Sequence, residues 1–167
     1  MERLNALGDH AVAIGANGKD LHFTSIELGH AALVAHSYVR PNAGQAESRS
    51  HGFFYKQASS EAGIVGLPIM QAGPGEDETG HRGSASVLYL ENQALELSAL
   101  GALHSHPVQQ ADDKCVASCM DWYGNARPLF LKDRVFALMG YELVEGAIRS
   151  GRIREVRRVS FAPKTAR

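Results

Sequence analysis

The sequence predicts an all-β protein built from about three antiparallel sets of four strands. Short segments with alternating apolar and polar residues recur along the 167 residues, whereas long runs of helical periodicity are almost absent. Turn-forming pairs such as Asn17-Gly18 separate these segments. A strand, an Asp-containing turn and a second strand at residues 7–14 recur at residues 131–138. These observations favour repeated β-hairpins over a helical fold.

The first predicted set lies near residues 3–40. Its clearest hairpin joins residues 11–14 to residues 21–26 through Asn17-Gly18. This dipeptide suits a type I′ turn, because both turn residues of that type take positive φ. The stretch Pro41–Gly44 is rich in turn-forming residues and is predicted to separate this set from the next.

The second predicted set lies near residues 52–104. Its most regular segment alternates so that Val87 and Tyr89 share one face while Leu88 and Leu90 share the other. A turn is predicted at residues 91–93, and the Gly- and Glu-rich residues 73–80 are predicted to form an exposed loop.

The third predicted set lies near residues 125–161 and turns at Lys132-Asp133 between its first two strands. A polar loop at residues 106–121 precedes it, and the sequence favours a short helical turn near residues 115–122. The sets are expected to stack through large apolar side chains: Phe53, Tyr55, Val87, Tyr89, Phe130, Phe136 and Leu138.

Repeats of four short strands at intervals of about 40–50 residues are typical of β-propeller blades. The chain is therefore predicted to be a single partial propeller domain over residues 1–167, and a β-sandwich is the alternative. Propellers usually close with about four to eight blades. Three blades then need neighbours, which are expected to be the remaining blades of a parent chain or further copies of this one.

The numbers of acidic and basic residues bear on which classes of molecule the protein could bind. With 17 basic and 18 acidic residues the formal net charge is −1, which argues against a nucleic-acid-binding protein. The charges are unevenly placed. Residues 1–126 contain 7 basic and 14 acidic residues, whereas residues 127–167 contain 10 basic and 4 acidic residues. No apolar run approaches the roughly 20 residues that span a bilayer, and the first residues show no signal peptide.

Two hydrophobic motifs carry a family resemblance. Arg49-Ser50-His51-Gly52-Phe53-Phe54-Tyr55, followed by Ile64-Val65-Gly66-Leu67-Pro68-Ile69, resembles bacterial secreted proteins with a C-terminal β-propeller domain. Residues 86–90, 100–104 and 127–138 continue the resemblance through later strands. It implies propeller blades and a secreted or cell-envelope location. It implies no catalytic residues.

A second motif points to different chemistry. Gly101-Ala102-Leu103-His104-Ser105-His106-Pro107, with Ser118-Cys119-Met120-Asp121 after it, resembles the zinc motif of JAMM-type metallopeptidases. Zinc held by His104, His106 and Asp121 would keep one position open for a water molecule, whose pKa the metal lowers. Glu27 or Glu47 would then serve as the general base. The interval of 11 residues between His106 and Ser118 is longer than in that family.

Other candidate residues cluster in the same loop. Cys115 and Cys119 lie four residues apart and are a candidate disulfide if the protein is exported. Trp122, Tyr123 and Arg127 are residue types that often anchor binding surfaces.

The sequence as a whole favours a non-catalytic binding or structural module. It would need no cofactor and would meet an unidentified protein or surface ligand. The alternative function is a zinc-dependent hydrolase.

Overall fold

The computed structural model describes residues 2–46, 50–71, 85–105 and 126–161 of the chain. These residues form three antiparallel β-sheets, so the all-β prediction is confirmed. The predicted helical turn near residues 115–122 and the loop at residues 73–80 lie outside the described residues. A single turn of 3-10 helix occurs at Ser50–Gly52. Nothing helical in the described ranges has the length and apolar character to cross a membrane.

Each sheet is built from one stretch of chain. The N-terminal sheet contains, in spatial order, β1 (Arg3–Leu7), β2 (His10–Asn17), β3 (Asp20–Leu28) and β4 (Ala32–Arg40). The C-terminal sheet contains, in spatial order, β10 (Arg127–Leu131), β11 (Arg134–Met139), β12 (Glu142–Arg149) and β13 (Arg152–Ser160). Both are four-stranded meanders, as predicted.

The middle sheet has one strand more than predicted. It contains β5 (Ala43–Gln45), β6 (Phe54–Gln57), β7 (Ala62–Gln71), β8 (Ala85–Gln93) and β9 (Glu96–His104). The order is β5-β7-β8-β9, and β6 pairs with another part of the same edge of β7. The Pro41–Gly44 stretch was predicted as a break. Its second half begins β5 instead, and the Ala43 amide donates a 3.0 Å hydrogen bond to the Lys19 carbonyl of the preceding sheet.

The hairpin turns explain the recurring sequence pattern. Leu7 pairs with His10 and Leu131 pairs with Arg134, so residues 8–9 and 132–133 form equivalent two-residue turns. The Asn17-Gly18 hairpin also forms, but its turn residues are Gly18 and Lys19, because Asn17 pairs with Asp20. Gly18 alone of the two has positive φ, at 62°, so the predicted type I′ geometry is wrong.

Two other hairpins, β8–β9 and β12–β13, have turns in which both residues take positive φ. The turn predicted at residues 91–93 lies at Ala94-Leu95, with φ of 48° and 69°. Ser150-Gly151 likewise takes φ of 49° and 69° between β12 and β13. These two turns have the positive φ pair of the type I′ hairpin.

The middle sheet is packed on both faces. Leu88 and Leu90 of β8 belong to the core shared with the N-terminal sheet, where Val12, Ile14 and Phe23 lie. On the opposite face, Val87 and Tyr89 join Val135, Ala137 and Met139 in a second core with the C-terminal sheet. The alternation predicted for β8 is therefore confirmed, and β8 lies at the centre of a three-sheet stack.

Two of the predicted stacking residues lie on the wrong face. Phe136 and Leu138 alternate along β11 with Val135, Ala137 and Met139, and only the latter three pack against the middle sheet. Phe136 therefore occupies the outer face, where the Arg134 guanidinium lies 4.8 Å from its ring centroid. The reason for the error is that β11 is apolar at almost every position, so hydrophobicity alone does not identify its inner face.

One hydrogen bond joins the buried faces of two sheets. The Tyr89 hydroxyl donates to the Phe136 carbonyl over 2.6 Å across the second core. Burial raises the pKa of Tyr89 far above its usual value, so the phenol keeps the proton that it donates. This hydrogen bond fixes the position of β11 relative to β8.

Candidate functional site

His104 is the predicted site residue that the structure describes most fully. It is the last residue of β9, and its Nδ1 lies 2.8 Å from Ser86 Oγ on the paired strand β8. Its carbonyl accepts a 2.8 Å hydrogen bond from Arg158 of β13. This corner of the middle sheet is thereby attached to the C-terminal sheet.

Arg158 is the centre of a charged cluster at this corner. Its Nη1 donates to Glu142 Oε2 over 2.7 Å, and its Nη2 donates to Glu155 Oε2 over 2.6 Å. The Glu142 side chain is 4 % exposed and that of Arg158 is 15 % exposed, so this ion pair is largely removed from water. Such a pair links β12, β13 and β9, and its chemistry is structural.

The surroundings of His104 keep its imidazole neutral. Partial burial lowers the pKa of His104, and the positive charges of Arg40 and Arg158 lower it further. In the tautomer whose Nδ1 donates to Ser86 Oγ, the other nitrogen, Nε2, is free to bind zinc; in the opposite tautomer Nδ1 accepts from the hydroxyl and Nε2 carries the proton. The same two arginines oppose a nearby dication, however, because they act on it with the same sign of charge.

We expect the neutral state of His104 to appear in the pH dependence of stability. The pKa of an unfolded histidine is about 6.5, and that of folded His104 is lower. As the pH falls through these values the unfolded chain is protonated first, so stability that is complete above pH ~6.5 is lost on acidification. In chelator-treated protein, the unfolding free energy should fall more steeply between pH 7.5 and 5 than in His104→Gln.

The control for this prediction is His30→Gln, in the exposed turn between β3 and β4. It removes a histidine without touching the corner of the middle sheet. Denaturant melts across the pH range give the three profiles. Equal slopes for the wild type and His104→Gln would contradict the prediction.

Most of the other predicted site residues lie outside the part of the chain that the structure describes. His106, Asp121, Glu47, Cys115, Cys119, Trp122 and Tyr123 all lie outside the described residues, so the zinc site and the disulfide stay predictions. Within those ranges, no group of three or more His, Cys, Asp or Glu side chains is arranged to hold a metal ion.

Glu27 is described, and it lies away from His104. Arg40, whose charge acts on His104, pairs with Leu21 at the start of β3. Glu27 is six residues further along that strand, or roughly 20 Å at about 3.3 Å per residue. The structure therefore does not bring Glu27 and His104 together.

Arg127 begins β10, directly before Pro128. Pro128 faces the middle sheet, where it packs against Gly66, so Arg127 is on the outer face. Its Nε is buried without a hydrogen-bond partner among the described residues. The predicted recognition role of Arg127 stays a prediction.

An open groove lies between β1 and β6. Its volume is about 380 Å³, and its lining residues are uncharged: Asn5, Ala6, Gly8, Phe53, Phe54, Tyr55 and Gln57. Tyr55 is held in place because Asn92 Nδ2 donates a 3.0 Å hydrogen bond to its hydroxyl. Aromatic edges and side-chain amides can bind a ligand there, but they supply no general base.

The largest feature that sequence reasoning missed is the outer face of the N-terminal sheet, here called the N-terminal outer face. Val12, Ile14 and Phe23 point to the core, so the residues that alternate with them point outward. Strand pairing aligns these outward residues in three rows across the sheet: Leu4-Ala13-Thr24-Ser37, Ala6-Ala11-Ile26-Val34 and Gly15-His22-Val39.

The N-terminal outer face is both exposed and nearly free of charge. Val34 is 70 % exposed and Leu4 is 58 % exposed. The charged residues with outward orientation, Glu2 and Asp20, lie at one end of the sheet. The sequence held a signal for this face, because the small residues Ala11, Ala13 and Gly15 alternate with the large apolar residues Val12 and Ile14 along β2; Ala11 is only 8 % exposed.

The outer face of the C-terminal sheet has the opposite character. Its outward positions carry six arginines and one glutamate: Arg127, Arg134, Arg149, Arg152, Arg154, Arg157 and Glu145. The Arg134 guanidinium forms two hydrogen bonds with the Glu145 carboxylate, of 2.8 and 2.7 Å. This C-terminal outer face explains where the basic end of the sequence lies.

Comparisons with protein-family models, curated proteins and solved structures find no match to this chain.

Proposed function

We propose that the protein is a non-catalytic binding and structural module, a partial β-propeller that acts by docking other macromolecules on its sheet surfaces. The N-terminal outer face supports this proposal more than any other observation. A four-stranded sheet there presents apolar and small side chains to solvent, with charge only at one end. Exposed apolar surfaces of this extent usually mark interaction sites.

The stacking of the three sheets gives the proposal its architectural basis. Neighbouring sheets pack face to face with β1 near β6, β4 near β9 and β13 near β9. The N- and C-terminal sheets are the outer layers, each with one packed and one outward face. In a propeller every blade is packed between two others, so each outer face of the module would be covered either by a further blade of a parent chain or by another copy of this chain. By family resemblance it would belong to a larger secreted or cell-envelope protein.

A zinc-dependent hydrolase is the second candidate, because one observation favours it. The pKa of His104 is lowered, its Nδ1 lies beside Ser86 Oγ, and His106 follows two residues later; the tautomer in which Nδ1 donates to that hydroxyl would leave Nε2 for zinc. Arg40 and Arg158 weigh against it by adding positive charge near the proposed metal.

Zinc analysis separates the two functions. The purified protein should contain well below one zinc per chain, and the content should not change in His104→Ala/His106→Ala. His22→Ala/His30→Ala, with two histidines removed from the N-terminal sheet, is the matched control. Stoichiometric zinc that is lost in the first double variant and kept in the second would overturn the non-catalytic proposal.

A further inference from the structure

We infer that two copies of the chain associate face to face through their N-terminal outer faces, about a two-fold axis that runs parallel to the strands. This inference rests on the proposed function and names a partner for it. The other possible occupants of this face, a different protein or the C-terminal outer face of a second copy, are outcomes of the test below.

The N-terminal outer face has the charge distribution of a sheet face that is packed against another sheet. The middle sheet shows how this chain packs a sheet on both faces: β7 has no charged residue, and β8 has Glu91 alone, near its end. The N-terminal outer face likewise carries charge only near one end, at Glu2 and Asp20. The three rows of residues that run across its strands contain no acidic residue, lysine or arginine. Two such faces meet without burying a charge in the middle of the interface.

The side chains of the N-terminal outer face are complementary in size to those of a second copy. A two-fold axis parallel to the strands places β1 opposite β4 of the second copy and β2 opposite β3. The rows then set small residues against larger ones: Leu4 against Ser37, Ala13 against Thr24 and Ala6 against Val34.

The same operation continues this pattern over the rest of the face. Ala11 meets Ile26 of the second copy and Gly15 meets its His22. At the charged end, Asn17 meets Asp20, an amide that can donate to a carboxylate. Packed β-sheets cross at angles up to about 30°, so these oppositions hold most closely for the inner strands β2 and β3 and are displaced along the strands at β1 and β4. The face is therefore complementary to itself, which is the requirement for a two-fold interface.

The area of the N-terminal outer face is close to what a specific interface needs. Its strands β1 to β4 have five, eight, nine and nine residues. At about 3.3 Å per residue and 4.8 Å between strands, the face covers roughly 490 Å². Two copies would bury about 980 Å², which is close to the roughly 1,000 Å² of a specific interface.

The C-terminal outer face is too highly charged to pair in the same way. Its six arginines and one glutamate would repel a second copy of themselves. Placed on the N-terminal outer face, Arg134, Arg154 and Arg157 would be opposite uncharged residues and would lose hydration without gaining partners. Head-to-tail stacking is therefore less favourable than the two-fold arrangement.

The test compares lysine substitutions on the two outer faces. Ala13 on β2 and Ala147 on β12 are both half-buried outward alanines on inner strands. Sedimentation equilibrium of the full chain at tens of micromolar should give a dimer. Ala13→Lys should weaken it at least about 100-fold, whereas Ala147→Lys should leave it unchanged. Val34→Lys, at a 70 % exposed position that tolerates lysine in the monomer, should reproduce the effect of Ala13→Lys.

Three outcomes would overturn the inference. They are a monomeric wild type, a dimer that survives both Ala13→Lys and Val34→Lys, and an assembly that Ala147→Lys disrupts as strongly as Ala13→Lys. The last result would indicate head-to-tail stacking. None of them bears on zinc content, so failure of this inference is distinguishable from failure of the proposed function.

Discussion

Replacing Arg158 with leucine is expected to lower the free energy of unfolding by about 3–5 kcal/mol, because it removes a 2.7 Å ion pair with the largely buried Glu142 carboxylate. Glu142 has only 4 % of its side chain exposed, so water cannot take over the role of the guanidinium. The substitution also removes the hydrogen bond to the His104 carbonyl that joins the C-terminal and middle sheets. For a chain of this size the melting temperature should fall by roughly 6–20 °C.

Arg157→Leu is the matched control for this experiment. Arg157 neighbours Arg158 on β13 but is exposed on the C-terminal outer face, so its loss should cost less than about 0.5 kcal/mol. Removing both charges in Arg158→Leu/Glu142→Met should recover part of the loss, because the largely buried carboxylate that lost its ion pair with Arg158 is then absent. Chemical denaturation of the variants provides the comparison. If Arg158→Leu is as stable as Arg157→Leu, the cluster does not join the sheets in the way described.

The second large effect is expected from Gly66→Ala. Gly66 of β7 faces β10, and a Cβ atom there would lie 2.8 Å from Pro128 Cγ and closer still to its Cβ. The proline ring cannot rotate away, so β10 would have to move from the middle sheet. Overpacking of this kind costs about 1–3 kcal/mol, and the rigidity of the ring places this variant in the upper half of that range.

Gly29→Ala controls for the added methyl group and the loss of a glycine. Its Cβ would meet no atom within 4 Å, and its φ is not in the left-handed region. Thermal melts should therefore show this variant within about 0.5 kcal/mol of the wild type. A Gly66→Ala protein equal in stability to Gly29→Ala would mean that β7 and β10 are less tightly packed than described.

Much of the fold could be predicted because its signals are local. Alternation along residues 87–90 identified a strand with two packed faces, and the recurrence of residues 7–14 at 131–138 identified equivalent hairpins. Turn positions were less predictable. Ala94 and Leu95 adopt positive φ without glycine or asparagine, and Leu95 packs against the first core, so a tertiary contact supports a turn that local propensity does not indicate.

The site depended on information that the sequence does not contain locally. Glu142 and Arg158 are 16 residues apart, and their pairing follows from the register of β12 and β13 and the packing of both on β9. The inner face of β11 was mistaken because Phe136 is hydrophobic yet covered by Arg134 on the outer face. Similarly, the uncharged rows of the N-terminal sheet become one surface only once β1 to β4 are aligned.

The confinement of each sheet to one stretch of chain has an evolutionary consequence. In the part of the chain that the structure describes, every sheet takes its strands from one stretch of sequence, and no strand crosses into a neighbouring sheet. A gene segment that encodes one such unit can therefore be duplicated or lost without rethreading the rest of the protein. The related turns at residues 8–9 and 132–133 are what such a duplication would leave behind. Unequal recombination could therefore add or remove one whole sheet at a time in this architecture.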